Sequence, residues 1–260
     1  MNTVIVPVDF SDASLNAAQY AAQLLSNHEN INMILYHTYG KDWESDSSEE
    51  RLAELKTRFE KNYKLNLTTF AEQGDFITEL EKLVRHKRVD LVIMGSTGHS
   101  SISHVFMGSN TLKMSETKAC PILIIPVNSQ YNEVNNVMLA SDFKNVRSTT
   151  PSAPIKDFLR TFNANLHIVN VNSELYVAIT EEYEMQKEEY ENMFAEFNPE
   201  FYFVRFYDID DALNQFATDK NIDLIITVQK QHSLLYRRFR SSHIKNLTTN
   251  SSVPVLVVHE

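Results

Sequence analysis

The 260-residue chain is short of glycine and nearly devoid of cysteine, and both shortages exclude chemistry. Its one cysteine, Cys120, rules out an intramolecular disulfide framework and any metal site built on several thiolates. Cys120 precedes Pro121 and the apolar run Ile122-Leu123-Ile124-Ile125, which points to a buried structural thiol in preference to a redox role. No apolar run approaches the ~18 to 20 residues needed to span a bilayer. The stretch Met1 to Pro7 also lacks the basic and long apolar segments of a secretory signal, so a cytoplasmic chain without a membrane partner is expected. Clustered positive charge is scarce as well. A net charge of −10 argues against nucleic acid as a partner, because phosphate backbones are neutralised by grouped Lys and Arg. Arg237, Arg238 and Arg240 are the local exception, a solvated face or an anion site. The acidic run Glu181-Glu182-Tyr183-Glu184 reads as a solvated helix face.

What is present is a repeat. The shift of 133 positions that takes Asp90-Leu91-Val92-Ile93 to Asp223-Leu224-Ile225-Ile226 also takes Val4 to Val137, Asp9 to Asp142, Phe10 to Phe143 and Pro121 to Pro254. A period of that size means two domains, each large enough to bury its own core. The boundaries read as residues 1–127 for the first domain, 137–260 for the second, and the polar stretch 128–136 as the linker.

Within each copy, strand and helix signals alternate. In the first, Val4 to Val8, Ile31 to His37, Leu65 to Ala71, Asp90 to Met94 and Pro121 to Val127 are strand candidates. Helical segments lie between them at Ala13 to Leu25, Glu49 to Tyr63, after Gly74-Asp75, and at about Ser109 to Thr117. The second copy repeats the order, with a first helix at Ser152 to Phe162 and a last one at Arg240 to Thr249. Strands rich in Val, Ile and Leu without alternation imply burial on both faces, and intervening helices imply parallel crossovers. The expected fold class is therefore α/β: two tandem doubly wound domains, each a five-stranded parallel sheet flanked by four helices.

Ligands of such sheets bind beyond the carboxyl ends of the strands. Asp9 directly follows the first strand and can accept hydrogen bonds from a ligand amino or hydroxyl group, or cap the first helix, or both. His37-Thr38 brings backbone N–H and C=O groups out at a second strand end, suited to a flat heterocycle. The third strand end holds three of only five glycines, in Gly95-Ser96-Thr97-Gly98-His99 and Gly108-Ser109-Asn110-Thr111. Glycine lets backbone approach a ligand closely, and a helix opening at Gly108-Ser109-Asn110 offers free N–H groups and a positive dipole end to an anion. Ser109 and Thr111 add hydroxyl donors. His99 lies in the phosphate loop with His104 five residues on, and Lys113 sits in the first turn of the following helix, within reach of a terminal phosphate or simply solvated. Neither the P-loop nor the dinucleotide spacing occurs; the pattern is Gly-x2-Gly-x9-Gly-Ser.

That pattern, together with Val6-Pro7-Val8-Asp9-Phe10-Ser11 and Leu35-Tyr36-His37-Thr38, resembles the universal stress protein family, in its ATP-binding subclass and in tandem form. The resemblance implies a Rossmann-like fold and an adenine nucleotide, ATP or a relative, with or without Mg2+. It implies that Asp9 and the backbone around Pro7, Val8 and Thr38 hold the adenosine, that Met94 and Gly95 line the ribose side, and that Gly98, Gly108, Ser109 and Asn110, beside His99, take the phosphates. It also implies a sensor or regulator with an unnamed protein partner. The alternatives are a slow ATP hydrolase or phosphotransferase, and an interaction module without nucleotide. No acidic residue falls between Gly95 and Thr111 to hold a metal or activate water, which favours the sensor.

In the second copy the same shift converts Gly95, Gly98 and Gly108 to Val228, Gln231 and Ser241, so side chains stand where backbone should meet phosphate and that site is expected to be closed. Asp142 and Ser242 persist, and Lys144, Arg237 and Arg238 keep a different anion in play. The two copies are expected to pack as an intramolecular pseudo-dimer through their final strands, with a further homodimer open.

Overall fold

The computed structural model describes residues 1–40, 45–96, 109–172, 180–205, 209–229 and 253–260. These form two compact units, one within residues 1–131 and the other within 132–260. The first runs β1 (Thr3–Pro7), α1 (Asp12–Leu24), β2 (Asn32–Tyr39), α2 (Ser45–Asn62), β3 (Asn66–Gln73), α3 (Phe76–Lys87), β4 (Leu91–Gly95), α4 (Ser109–Glu116) and β5 (Ile122–Ile125). Its strands are parallel and lie in the order β3-β2-β1-β4-β5. The second runs β6 (Asn136–Ser141), α5 (Val146–Thr149), α6 (Ser152–Phe162), β7 (Asn165–Asn172), α7 (Glu181–Met193), a 3-10 turn (Ala195–Phe197), β8 (Glu200–Arg205), α8 (Ile209–Asp219), β9 (Leu224–Gln229) and β10 (Val255–His259). Its order, β8-β7-β6-β9-β10, repeats that of the first unit, again parallel.

The central strands are apolar on both faces because helices cover both. Val4, Ile5, Val6, Val92 and Ile93 are fully buried, as are Leu224, Ile225 and Ile226 in the second unit. Strand β3 departs from this: Leu67 is its one buried residue, as befits an outer strand of this sheet covered on one side by α2. Helix starts follow from capping oxygens. Ser11 caps α1 by accepting from the Ser14 N–H at 3.3 Å, Asp75 caps α3 through the Thr78 N–H, and Thr180 caps α7 through the Tyr183 N–H.

The repeat is visible in atoms as well as letters. Asp90 Oδ2 accepts from the N–H groups of Asn2 and Thr3 at 2.6 and 2.9 Å, and Asp223 Oδ2 accepts from those of Asn135 and Asn136, both at 2.9 Å. The carboxylate thus ties the start of each unit's first strand to its fourth. Left-handed backbone recurs too, at Phe10 and Phe143 (φ 64° and 53°) and at Arg88 and Asn221 (φ 50° and 49°).

The copies differ at their first helix. Where α1 runs unbroken for 13 residues, the second unit has the four-residue α5, extended backbone at Thr150, and α6 restarting after Pro151. The sequence pattern finds α6 but not α5, which is too short to show a period. The helix expected at Arg240 to Thr249 lies outside the described residues. Cys120 is buried, and burial pushes its thiol up to about 12, in keeping with an unreactive core residue.

Candidate nucleotide site

In the order β3-β2-β1-β4-β5 the direction of winding reverses between β1 and β4, and a crevice opens at their carboxyl ends. A cavity of about 200 Å³ sits there. It brings together Pro7 of β1, Val8 and Asp9 after it, His37 and Thr38 of β2, Met94 and Gly95 of β4, and Ser109, Asn110 and Thr111 of α4. Ser11, Ala13 and Ser14 of the α1 start and Phe76 of α3 complete the wall. Gly98, His99 and Gly108 lie outside the described residues, as does His104. Lys113 is on α4 but is not among the lining residues; it approaches Asp75, whose carboxyl is held low first by hydrogen bonds from Thr78 and further by this ammonium.

Asp9 is not the helix cap. Its Oδ1 accepts from the backbone N–H and the hydroxyl of Ser11, at 3.0 and 2.6 Å, and Ser11 in turn caps α1. The capping oxygen comes from the hydroxyl because Asp9 lies two residues too early to reach the first free N–H groups of a helix starting at Asp12. Burial pushes the Asp9 carboxyl up, but hydrogen bonds from Ser11 and Ser14 outweigh it and hold it below the ordinary carboxylate value. Both bonds from Ser11 fall on Oδ1, and the side chain lines the cavity.

The backbone at the strand ends divides into committed and open groups. The β1–β2 ladder ends with Pro7 opposite Tyr36, and the next N–H, that of Val8, donates to Tyr36 O at 2.7 Å. Val8 O accepts from His37 Nδ1 at 2.7 Å. Both backbone groups of Val8 are therefore used, and Pro7 has no N–H, so neither offers a ligand a backbone donor. Thr38 is different. Alternate residues of a strand direct their backbone groups to the same side, so Thr38 N–H and C=O point as Tyr36 O does, past the end of β1. No described residue bonds to that edge.

Gly95 lines the cavity, but its lack of a Cβ serves packing. A Cβ there would lie 2.3 Å from Ala13 O and 2.7 Å from Ala13 C, inside the first turn of α1. Thr111 is also committed: it is buried, and its hydroxyl donates to Gly95 O at 3.3 Å, which removes it from the expected phosphate donors and ties α4 to β4. Ser109 and Asn110 are exposed at the start of α4, where the free N–H groups and the dipole suit an anion. Sequence reasoning missed the parts of Ser14, Phe76 and the His37 side chain. A strand residue followed two positions later by a strand end signals a backbone edge; nothing in the letters alone says that its imidazole turns back on a carbonyl.

In the second unit the corresponding strand ends make contacts of their own. Ser141, at the Val8 position, accepts from Tyr190 OH at 2.7 Å and from the Phe143 N–H at 3.0 Å, while Tyr190 OH accepts from Thr150 at 3.3 Å. Phe143 stacks on Tyr183 and meets Tyr190 and Phe201 edge-on. Val228, at the Gly95 position, is buried. Asp142 accepts from the Lys144 N–H as Asp9 does from that of Ser11. Gln231, Arg237, Arg238, Ser241 and Ser242 lie outside the described residues.

The sequence model of the universal stress protein family matches residues 1–126 and 155–259, hence both units. The chain belongs to that family. Among curated relatives, a universal stress protein of Methanocaldococcus jannaschii is 24% identical over 140 residues, 47% of this chain and 80% of that protein. Among solved structures, a universal stress protein from Archaeoglobus fulgidus aligns with a TM-score of 0.75 at 17% identity, over 99% of this chain and 98% of its own. A protein from Pseudomonas aeruginosa gives 0.65 at 14% identity, over 100% and 92%. At those identities the likeness concerns the universal stress protein fold alone. A universal stress protein solved in complex with cAMP matches 47% of this chain and 94% of its own at 24% identity, with a TM-score of 0.40. Among the described residues no helix is long and apolar enough to cross a membrane.

Proposed function

We propose that the first unit binds an adenine nucleotide, ATP or a relative with or without Mg2+, and that the protein acts as a nucleotide-responsive regulator whose second unit is structural or partner-binding. One observation carries this reading: one cavity at the winding reversal combines the open donor–acceptor edge of Thr38, the carboxylate of Asp9 and the start of α4. These match the three parts of a nucleotide. The Thr38 edge suits the N1 and amino positions of adenine, a carboxylate accepts from ribose hydroxyls, and a helix start attracts phosphate. The cavity of about 200 Å³ is smaller than the ~300 to 1,000 Å³ of clefts that enclose a whole ligand. The described walls therefore account for part of a nucleotide, with Gly98, His99 and Gly108 proposed for the phosphates. The buried Val228 at the position of Gly95 supports a stoichiometry of one per chain.

Mass spectrometry of small molecules released on denaturing the purified protein, with a calorimetric titration of ATP, tests the reading. An adenine nucleotide in the release and one site per chain are expected. No binding, or two equivalent sites, would overturn it. Turnover measured with and without magnesium separates a regulator from a slow hydrolase.

A further inference from the structure

We propose that His37 is a positioning residue that holds the Thr38 backbone edge open for the base; the inference rests on the adenine reading above. In a parallel ladder running one step further, Val8 O would accept from the Thr38 N–H, because Val8 N–H already donates to Tyr36 O at 2.7 Å. Two donors therefore compete for one carbonyl. The imidazole takes it, at 2.7 Å, and the ladder stops with Pro7 opposite Tyr36. A carbonyl only accepts, so the shared proton is on Nδ1. The Val8 carbonyl is satisfied without Thr38, and Thr38 keeps both groups for a ligand.

Two features hold the ring in place. Phe10 packs against it with ring centroids 5.0 Å apart, and the Arg51 guanidinium lies 3.8 Å over the far partner, the Phe10 ring. Phe10 itself stands in left-handed backbone at φ 64°, a conformation that an aromatic residue adopts only when its surroundings impose it.

The second unit supplies the comparison. The position equivalent to His37 is Asn170, and there the ladder runs one pair further, to Ser141 opposite Asn170. Without an imidazole the strand pairing closes over the step that is open in the first unit. The side chain at this position therefore decides whether the end of the second strand presents a backbone edge or seals it, upstream of any glycine loop.

The test is amide hydrogen exchange by NMR on the full chain without ligand, in wild type, His37→Phe and His37→Asn. In the wild type, Thr38 exchanges quickly while Tyr36 is protected; in both variants Thr38 slows by at least ~tenfold as it joins the ladder. ATP and ITP are then titrated, since the 6-oxo and N1–H groups of hypoxanthine invert the donor and acceptor of adenine. Wild type prefers ATP by at least ~tenfold, and the variants lose most of that preference while ITP affinity stays within ~threefold. A general folding defect would weaken both nucleotides together and leave the ratio intact. If His37→Phe does not fold, His37→Asn decides. A protected Thr38 amide in the wild type, or an unchanged ATP to ITP ratio in variants that fold, overturns the proposal. Wild type that binds neither nucleotide overturns the adenine reading and the role toward the base, while the exchange data still report whether His37 opens the ladder.

Discussion

Replacing Gly95 by alanine should destabilise the first unit relative to Gly40→Ala by overpacking, and the amount follows from three distances. The added methyl would stand 2.3 Å from Ala13 O, 2.7 Å from Ala13 C and 3.3 Å from Ser14 N, all backbone atoms of α1. Carbon contacts are comfortable only near ~3.5 Å, so the start of α1 must retreat by about 1 Å. Overpacking of this kind costs ~1 to 3 kcal/mol. The lower chain entropy of unfolded alanine returns ~0.4 to 1 kcal/mol, for a net change of about 0 to 2.6 kcal/mol and a loss of ~1 to 3 kcal/mol relative to Gly40→Ala, which gains the same entropy. The retreat also carries Ser11 and Ser14 away from Asp9, so nucleotide affinity should fall with stability. Urea unfolding followed by the fluorescence of Trp43 reports on the first unit, because the sequence's one tryptophan falls between β2 and α2. Gly40→Ala is the control, since a Cβ there meets nothing within 4 Å. Gly95→Ala as stable as Gly40→Ala would refute the packing argument and return Gly95 to a role in ligand contact alone.

Asp9→Ala should lower nucleotide affinity by about 1.5 to 3 kcal/mol if its carboxylate bonds the ligand. A smaller stability loss of ~0.5 to 1 kcal/mol is expected from the freed Ser11, since Asp9 only braces the cap; a variant that loses stability but binds ATP normally confines Asp9 to structure. Asp90→Asn and Asp223→Asn should each cost ~1 to 2 kcal/mol by weakening a pair of charge-assisted bonds, and the two losses should match to within ~0.5 kcal/mol in separate denaturation curves. Tyr190→Phe should cost ~1 to 2 kcal/mol, as it leaves the buried Ser141 and Thr150 hydroxyls without their shared partner. Burial, opposed by Glu200, lowers the pKa of His167 below its unfolded value of about 6.5. A depressed pKa means the unfolded chain binds the proton more readily. The contribution is thus complete above about pH 6.5 and lost as pH falls through the folded value, and His167→Gln should flatten that part of the stability profile.

The repeat, the alternation of elements and the parallel sheets were legible because they rest on periodicity and burial, which letters record. Val4 to Val6 and Leu224 to Ile226 are apolar throughout, and they are central strands. The lining residues Asp9, Thr38, Met94, Ser109 and Asn110 were legible for a related reason, since each stands at a strand end or helix start that the pattern locates. What was not legible is who bonds to whom. That Ser11 rather than Asp9 caps α1, that Thr111 spends its hydroxyl on Gly95 O, and that Val8 O turns to an imidazole all depend on ångström-scale competition between donors near one acceptor. Gly95 shows the same limit. Its place in a glycine motif suggests a ligand, whereas its nearest neighbours are the backbone of Ala13 and Ser14.

The bond from Asp90 to the amides of Asn2 and Thr3 spans 88 and 87 residues of chain, and β1 meets β4 over the same interval. During synthesis, β2 and β3 are complete before β4 emerges, yet the walls of the cavity come from both ends of that interval. A nascent chain therefore carries three of the five strands before the crevice can close. Any ligand of the cavity, as proposed above, would find its walls only after Leu91 to Gly95 have docked beside β1, so it would select finished first units and not guide their assembly.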